Sequence, residues 1–434
     1  MTQTDQQAPP SLNDIVSCIS GYDPGAMTVT QAQGVIKDFI APIAAIEKVA
    51  IRSALSRVLA QDIVSRIDVP AHDNSAMDGY ALRGADVAHG AEVRLAIVGA
   101  VHAGASFAGQ VGPGQCVRIM TGAPMPAGCD TVIPQELTVD AGEHAVILPA
   151  GRVRPGDNRR LRGEDLALGS VALPRGRRLR PSDLGLLASL GIPEVAVRRR
   201  LRVAFFSTGD ELRSVGEPLD PGCVYDSNRY TLHGMLTRLG CDVIDMGVVG
   251  DDPAALEAAF RSACEEADAV ITSGGVSVGA ADYTKQIMAG LGEMMFWKIA
   301  MRPGRPLAFG RIASRGRQAF LFGLPGNPVA VTVSFSFFVR DALLRLAGAE
   351  AQPLPRLRVK SAAPIRKKAG RTEYQRAILA PGEDGVWTVR LTGTQGSGIL
   401  RSMSDANCII ELEHDRGDVA AGEDVSIVVF DGLI

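Results

Sequence analysis

The chain has 434 residues, of which 45 are Lys or Arg and 48 are Asp or Glu, so its formal net charge is −3. This length predicts roughly two to four domains, and the balanced charge argues against sequence-independent nucleic-acid binding. The seven cysteines form neither a CxxC pair nor a metal-site spacing, which favours reduced thiols in a cytoplasmic protein. We expect no signal peptide and no membrane span, because the N-terminus lacks the required pattern and no run of about 18 apolar residues occurs.

The N-terminal part of the chain is predicted to be a tail followed by helices. Residues 1–27 are expected to be disordered, because the opening is polar and contains prolines. Helical periodicity follows, with Thr28 or Thr30 as the N-cap of the first helix. A second helix is predicted over Ile51–Ala60.

A β-rich region separates two segments that are similar in character. These segments, residues 28–70 and 166–200, are predicted to pair into one discontinuous, elongated domain. Residues 71–165 between them predict a small β domain, because short β-like runs alternate with Gly and Pro turns. The runs are residues 94–101, 115–119, 131–133 and 144–148.

Residues 201–348 predict an α/β domain. Three apolar runs alternate there with two amphipathic helical patterns, and the runs are residues 201–206, 241–249 and 268–271. This alternation is typical of a parallel sheet covered by helices on both faces. Residues 349–434 are strand-like and punctuated by Gly and Pro, which predicts a C-terminal β-barrel or sandwich. The predicted fold class is therefore multidomain, α/β plus β.

Small or acidic residues follow each of the three apolar runs, in STGDEL, GDD and TSGG. Ligands of open α/β sheets bind at the carboxyl ends of the strands. Bare backbone amides of small residues suit phosphate, and clustered carboxylates suit a hard cation. The sequence therefore predicts a phosphate-bearing anion bound together with a divalent metal. The candidate binding residues in these turns are Ser207, Thr208, Gly209, Ser273, Gly274, Gly275, Ser277 and Gly279.

The acidic residues of these turns also have structural explanations. Asp282 could be only an N-cap after a tight glycine turn. Asp210 could cap a turn, whereas Glu211 would point into the cleft. Asp252 precedes a proline and is explained as a helix cap, which leaves Asp251 as the better functional candidate. Neither a P-loop nor a GxGxxG fingerprint after a strand is present.

A basic loop and a second glycine-rich turn follow along the chain. KIAMRPGRP carries Lys298, Arg302 and Arg305 around a turn that prolines and a glycine make rigid. Such a loop suits a fixed anion site, although most charge runs are simply solvated. FGLPGNP is a glycine-rich helix start, which could bind an anion or only begin the helix. Its candidate residues are Pro325, Gly326 and Asn327.

The stretch DNSAMDGYAL is polar and unusual for a chain that has just left a strand. It offers ligand oxygens from Asp73, Asn74, Ser75 and Asp78. A calcium loop needs ligands at alternating positions and a distal Glu, and that spacing is missing. Composition alone therefore predicts an irregular loop and assigns it no function.

Ten motifs of the chain together carry a family resemblance. They are DNSAMDGYAL, RIMTGAPMP, RGEDLALG, PSDLGLLASLG, STGDEL, YDSNRYTL, TSGGVSVGAADY, KIAMRPGRP, FGLPGNPV and GSGILRSM. Their order resembles that of the molybdopterin molybdenumtransferases, the molybdenum-insertion family of molybdenum-cofactor biosynthesis, which also includes the E domain of gephyrin. The resemblance covers residues 28–434.

The resemblance implies an elongated homodimer whose active sites are shared between subunits, each formed by the α/β domain of one subunit and the small β domain of the other. It implies molybdopterin-AMP and molybdate as substrates, Mg²⁺ as the required metal, and release of AMP and molybdenum cofactor. Molybdopterin adenylyltransferase and molybdoenzyme maturation proteins are possible partners. We expect no nucleic-acid or membrane partner.

The family pattern also falls on individual residues of this chain. The residues that it implies to be catalytic are Asp73, Thr121, Asp165, Glu211, Asp251 and Asp282. Those implied to hold Mg²⁺ are Glu211, Asp251 and Asp282.

Basic and polar residues of the implied substrate site can be assigned in the same way. Lys298 stands at a family lysine. Arg302 and Arg305 stand where the family often has lysine, so a planar guanidinium replaces a point charge. Arg371 and Ser397 fall in segments similar to the family's substrate rim.

Three other functions remain open at this stage. The single-domain molybdopterin adenylyltransferases carry loops of the TSGGVSVG type, but DNSAMDGY, MTGAP and RGED in an added domain argue against that activity. A non-catalytic scaffold is the second alternative, although nothing in the chain resembles the other domain of gephyrin. The third is a paralogue that inserts tungsten, which the sequence does not discriminate from a molybdenum enzyme.

Overall fold

The computed structural model describes residues 11–87, 89–276, 282–350 and 353–430. The chain divides into two compact units, each formed by segments that are far apart in the sequence. The first unit contains residues 1–60, 176–180 and 194–434, and the second contains residues 61–175 and 181–193. Among the described residues, no helix is long and apolar enough to cross a membrane.

The first unit begins with two helices, α1 (Leu12–Ser17) and α2 (Val29–Phe39). The predicted disordered tail over residues 1–27 is therefore wrong from Ser11 onward. Ser11 and Asp14 form a capping box, and the buried apolar side chains of α1 join a hydrophobic cluster, so the short helix is held at its start and along one face. Thr28 caps α2, as predicted.

A strand that was not predicted follows α2, directly before the segment expected to form a second helix. Strand β1 (Ile46–Ala50) pairs antiparallel with the later segment Glu194–Arg198, and a single 3₁₀ turn follows it. The predicted helix over Ile51–Ala60 is wrong. Ser56 has a φ of 62°, a left-handed conformation that an α-helix cannot accommodate.

The second unit is dominated by a six-stranded sheet, in the order β7-β4-β6-β5-β9-β8. All four β-like runs predicted for this region are confirmed as strands. The stretch DNSAMDGYAL is not an irregular loop throughout, because β3 and β4 lie within it. The elements of this unit are β2 (Ile63–Val64), β3 (Asn74–Ser75), β4 (Gly79–Leu82), α3 (Gly84–Val87), β5 (Val93–Val101), β6 (Gln115–Ile119), β7 (Thr131–Pro134), β8 (Val139–Asp140), β9 (Ala145–Leu148), β10 (Arg159–Arg160), β11 (Val171–Leu173) and α4 (Pro181–Ser189).

Strand pairs join the distant segments within each unit. In the second unit, β2 pairs with β11 and β3 pairs with β10. In the first, β1 pairs with β12 (Glu194–Arg198). The predicted domain boundaries at residues 70, 165, 200 and 348 remain predictions.

The central sheet of the first unit has the strand order β16-β13-β17-β21-β20-β18. The first four strands are parallel, as predicted, and β20 and β18 are antiparallel to their neighbours. Its elements are β13 (Arg202–Thr208), β14 (Leu212–Arg213), β15 (Val224–Tyr225), α5 (Ser227–Leu239), β16 (Asp242–Val249), α6 (Pro253–Glu266), β17 (Ala269–Ser273), α7 (Asp282–Leu291), β18 (Gly292–Lys298), β19 (Met301–Arg302), β20 (Pro306–Ser314), β21 (Arg317–Leu324), α8 (Pro328–Ser334), a π-helical turn (Phe335–Val339) and α9 (Arg340–Leu346).

The antiparallel edge of this sheet arises from a tight turn. Arg315 and Gly316 both have positive φ angles, 43° and 75°, and join β20 directly to β21. A two-residue hairpin of this kind reverses the chain, whereas a parallel neighbour requires a long crossover.

Alternate residues of β13 face the two sides of the sheet. Val203 and Phe205 belong to the buried cluster that contains Leu232 of α5. Phe206 points the other way and makes an edge-to-face contact with Phe260 of α6 at 5.1 Å between ring centroids. Helices therefore cover both faces, so ligands reach the sheet at its ends.

A closed five-stranded barrel completes the first unit, in the order β23-β24-β22-β26-β25 with β25 returning to β23. Strand β19 of the basic loop pairs in parallel with β23, so the loop is attached to the barrel. The elements are β22 (Arg356–Ser361), β23 (Thr372–Pro381), β24 (Trp387–Leu391), α10 (Arg401–Asp405), β25 (Cys408–Leu412) and β26 (Asp424–Val429).

Candidate active site

A cavity of about 690 Å³ lies at the carboxyl ends of β13, β17 and β21 in the first unit. It is bounded by the strand-end turns, the basic loop after β18, and two barrel segments. Most of the first-unit residues singled out from the sequence line it together. They are Thr208, Gly209, Glu211, Asp251, Ser273, Gly274, Gly275, Arg302, Arg305, Pro325, Gly326, Asn327, Arg371 and Ser397.

Other predicted residues lie away from this lining. Ser207 is fully buried in β13, and Lys298 is exposed at the end of β18, opposite Pro306 in the strand register. Ser277 and Gly279 lie outside the described residues. Helix α7 begins at Asp282, but the side chain of that residue is outside the description too.

Three carboxylates lie near one another at the ends of β13 and β16, and two of them line the cavity. Asp210 Oδ1 accepts a hydrogen bond from the backbone amide of Asp251 at 3.0 Å, so Asp210 has the turn-capping role expected of it. Glu211 and Asp251 line the cavity. Burial raises the pKa of Asp251, and the nearby carboxylates of Asp210 and Glu211 raise it further. The turns after β13 and β16 therefore bring carboxylates together that repel one another, and a bound cation would relieve this repulsion.

This group of carboxylate oxygens fits a divalent cation such as Mg²⁺. In proteins, Mg²⁺ usually takes one or two carboxylates and completes its shell with waters and phosphate oxygens. Glu211 and Asp251, which both line the cavity, are two carboxylates that fit this requirement. Within the described part of the chain, which excludes the side chain of Asp282, no group of three His, Cys, Asp or Glu side chains could hold a metal.

The glycine turn after β17 brings two strand ends close together. Gly274 has a φ of +98°, and a Cβ added there would lie 2.5 Å from the carbonyl oxygen of Thr208. Its amide donates to the carbonyl of Leu324, so this amide is not free to bind phosphate. The amides of Gly275 and Gly326 make no hydrogen bond to another described residue. They are therefore the better donors for an anion in the cavity.

Basic residues also line the cavity. Arg302 and Arg305 are exposed on the basic loop, and Arg371 reaches in from the start of β23. Glu373, which is 3% exposed, accepts a hydrogen bond from Arg371 Nε at 2.8 Å and forms an ion pair with Arg371 Nη2 at 2.6 Å. This ion pair fixes the direction of Arg371.

Asn228, at the start of α5, is a cavity residue that the sequence analysis did not single out. Its Nδ2 donates to Ser273 Oγ at 2.8 Å and to the carbonyl of Gly326 at 2.6 Å. Because a carbonyl only accepts, the amide nitrogen must face Gly326. Asn228 Oδ1 and Thr208 Oγ1 are buried and have no partner among the described residues. The Asn after the capping Asp of YDSN was the available signal.

A buried arginine supports the barrel segment that carries Gln395 and Ser397 into the cavity. Arg376 is 1% exposed. Its guanidinium donates to Ser402 Oγ at 2.9 Å and to the carbonyls of Thr394 and Gly396 at 3.3 and 2.9 Å. Burial lowers the pKa of Arg376, and the positive charge of Arg302 lowers it further.

Replacing Arg376 tests whether it stabilises the barrel segment that carries Gln395 and Ser397. We expect Arg376→Lys to destabilise the protein by about 2–4 kcal/mol, because an ammonium group cannot reach three acceptors arranged for a planar fork. Urea denaturation measures the change. Arg390→Lys on the exposed face of β24 is the control, with an expected change within about 0.5 kcal/mol. Equal urea midpoints for Arg376→Lys and Arg390→Lys would contradict the role of Arg376 in supporting the barrel segment.

The remaining predicted residues belong to the second unit. Asp73 pairs with the Arg159 guanidinium and accepts the backbone amide of Arg162 at 2.7 Å. The amide of Arg162, together with the charge and hydrogen bonds of Arg159, lowers the pKa of Asp73. Thr121 donates both its amide and its hydroxyl to Asp78, each at 2.7 Å. Asp78 therefore holds Thr121 in place, a role that sequence reasoning did not assign.

Asp165 lies on the surface of the same unit. Its side chain is exposed, while its amide donates to the carbonyl of Val69 at 3.0 Å. Asp73, Thr121 and Asp165 are thus ordered by local contacts within the second unit.

Comparison with known proteins identifies the family. The chain matches three family descriptions in sequence: "MoeA N-terminal region (domain I and II)" over residues 27–191, "Probable molybdopterin binding domain" over 204–345, and "MoeA C-terminal region (domain IV)" over 358–430. The molybdopterin molybdenumtransferase of Haemophilus influenzae is 43% identical over 389 residues, which cover 89% of this chain and 95% of the relative. The chain belongs to the molybdopterin molybdenumtransferase family. The family predicted from the ten motifs is confirmed, and the chain is a transferase of molybdenum-cofactor biosynthesis.

Further relatives and a solved structure agree with this family. Molybdopterin molybdenumtransferase 2 of Mycobacterium tuberculosis is 36% identical over 388 residues, covering 87% of this chain and 94% of that relative. The crystal structure of the molybdopterin biosynthesis moeA protein from Pyrococcus horikoshii OT3 matches with a TM-score of 0.78 and 29% identity, covering 93% of this chain and 100% of that one. The predicted multidomain fold with its molybdopterin-binding α/β domain is confirmed.

Proposed function

We propose that the enzyme inserts molybdenum into molybdopterin, using molybdopterin-AMP and molybdate with Mg²⁺ and releasing AMP. The observation that carries this proposal is one cavity lined by two carboxylates and three arginines. The carboxylates suit a metal next to a phosphate diester or anhydride. The arginines suit a tetrahedral oxyanion. The location predicted from the sequence is the cytoplasm.

The residues of the chain have separate roles in this reaction. The amides of Gly275 and Gly326 bind a phosphate, and Asn228 holds the two turns that present those amides together. Glu211 and Asp251 would hold Mg²⁺, which when bound neutralises charge on the phosphate that leaves with AMP. Arg302, Arg305 and Arg371 bind molybdate beside the pterin. Positioning and charge neutralisation suffice, and no protein nucleophile is needed.

The test of the proposed function is AMP release from molybdopterin-AMP by the purified protein. We expect release that requires both Mg²⁺ and molybdate. Turnover of ATP with molybdopterin would instead indicate an adenylyltransferase. Tight pterin binding without AMP release under any oxyanion would indicate a scaffold, and release with tungstate alone would indicate a tungsten enzyme.

We also propose that Asp73, Thr121 and Asp165 act on the active site of a partner subunit in a homodimer. These residues are the ones assigned by the family motifs that lie in the second unit. Mixing two inactive variants, Asp73→Asn and Glu211→Gln, is expected to restore about a quarter of the wild-type rate, because half of the random dimers then carry one complete site. The rate after dissociation and remixing measures this. No recovery, with mixed dimers demonstrated by mass spectrometry, would contradict a shared site.

A further inference from the structure

A second, shallower cavity of about 310 Å³ adjoins the active-site cavity in the first unit. The two share Arg302 and Arg371 in their linings. The second cavity is also lined by the barrel segment Arg366, Lys367 and Lys368. Its lining therefore carries five basic side chains, of which two also face the active site.

The segment at residues 365–368 is extended, and its side chains alternate in direction. Ile365 is hydrogen-bonded in both directions with Val419 and is buried, as is Lys367, whereas Arg366 and Lys368 are exposed. In extended chain, successive side chains point to opposite sides. Arg366 and Lys368 therefore share the outer side, where the cavity lies.

The inward-pointing lysine is engaged in the barrel. Lys367 Nζ donates to the carbonyl of His414 at 2.9 Å and to that of Glu413, and burial lowers its pKa. This group stabilises the barrel and is not available to a ligand.

The two acidic residues of the lining are engaged as well. Glu373 accepts hydrogen bonds from Arg371 and from Gln375 Nε2, the latter at 2.9 Å. Asp418 Oδ1 accepts the backbone amide of Lys367 at 2.7 Å. Among the described carboxylates, none pairs with Arg302, Arg366 or Lys368. Three cations therefore face this cavity with no neutralising partner in the described chain.

We propose that this basic cavity is a capture site for the doubly charged oxyanion molybdate, from which Arg302 and Arg371 pass the anion into the active site. This inference rests on the proposed function and identifies how its anionic ligand enters. Exposed charges within about 10 Å of each other act together at low salt and lose that effect as salt rises. Such steering raises association rates with little effect on later steps.

The test is the double variant Arg366→Gln/Lys368→Gln, which leaves Arg302 and Arg371 in place. Dissociation constants for molybdate and for AMP are measured separately by calorimetry, at low and high salt. We expect about fivefold to tenfold weaker binding of molybdate at low salt and a smaller difference at high salt, with the constant for AMP unchanged. We also expect kcat/KM for AMP release to fall with kcat retained.

A matched control removes two exposed arginines elsewhere on the barrel, in Arg358→Gln/Arg390→Gln. Weaker binding of molybdate relative to this control supports capture, whereas weaker binding of AMP alone would overturn it and indicate a contact with the leaving nucleotide. Equal constants for the two double variants, or a loss of kcat instead of kcat/KM, would overturn the inference. If the wild-type protein releases AMP and the two double variants bind molybdate equally well, only the capture site is refuted. Wild-type protein that binds neither anion refutes the proposed function as well.

Discussion

Glu211→Gln is expected to lower the rate of AMP release by about 10² to 10³-fold. The change keeps the size of the side chain and removes one of the two described carboxylates that line the cavity. A bound cation contributes several kcal/mol of charge stabilisation in such reactions, and each 1.4 kcal/mol or so is a factor of ten in rate. Asp251→Asn is expected to have a similar effect.

Binding of Mg²⁺ in the presence of AMP provides a readout that is independent of turnover. Calorimetry should show weaker Mg²⁺ binding in both variants. The control is Asp252→Asn, because Asp252 is an exposed carboxylate next in sequence that caps α6, and asparagine caps equally well. A Glu211→Gln enzyme with wild-type Mg²⁺ affinity and wild-type turnover would refute the metal role.

Gly274→Ala is expected to destabilise the protein by about 2–4 kcal/mol and to abolish measurable substrate binding. A side chain at this φ costs about 1–2 kcal/mol by itself, and the added Cβ would lie 2.5 Å from the carbonyl oxygen of Thr208. Relief requires the ends of β13 and β17 to separate, which moves the turn that forms the cavity floor. Urea denaturation and AMP binding measure the two effects.

Gly326→Ala is the matched control, because Gly326 also lies in the cavity lining but has an ordinary φ. The nearest atom to its added Cβ is Gly274 Cα at 3.8 Å, so the expected change in stability is within about 0.5 kcal/mol. Similar destabilisation by both alanines would show that the close approach of the two strands is not the cause.

The local signals for the α/β domain were sufficient to predict its sheet and most of its ligand-binding edge. Apolar runs without polar alternation define β13, β16 and β17, and small residues after such runs must lie at the carboxyl ends of a parallel sheet. The convergence of Glu211, Asp251 and the glycine turns follows from that geometry. The cap at Asp252 was likewise predictable, since it depends only on neighbouring residues.

Features that depend on distant partners were not predictable in this way. Strand β1 forms instead of a continued helical region because Glu194–Arg198, far along the chain, pairs with it. Asn228 gains its place in the cavity from contacts with Ser273 and Gly326, which no local pattern relates to it. Thr121 was found through the family motif, but its partner Asp78 became evident only from the folded second unit.

The joining of the basic loop to the barrel is a further feature of this kind. Arg302 and Glu373 are register partners in the β19–β23 pair, although 70 residues of sequence separate them. Sequence spacing gave no sign that one buried glutamate lies beside the loop and also orients Arg371. The connection explains why the loop and the barrel contribute to the same cavity.

The most direct test of the account is the stoichiometry of the reaction. Molybdopterin-AMP, molybdate and Mg²⁺ are incubated with the enzyme, and released AMP and pterin-bound molybdenum are quantified in the same sample. The account predicts one molybdenum bound for each AMP released, no AMP without molybdate, and little of either product with Glu211→Gln. AMP release at the same rate without molybdate, or with no metal on the pterin, would contradict it and would make the protein a hydrolase of the adenylylated pterin.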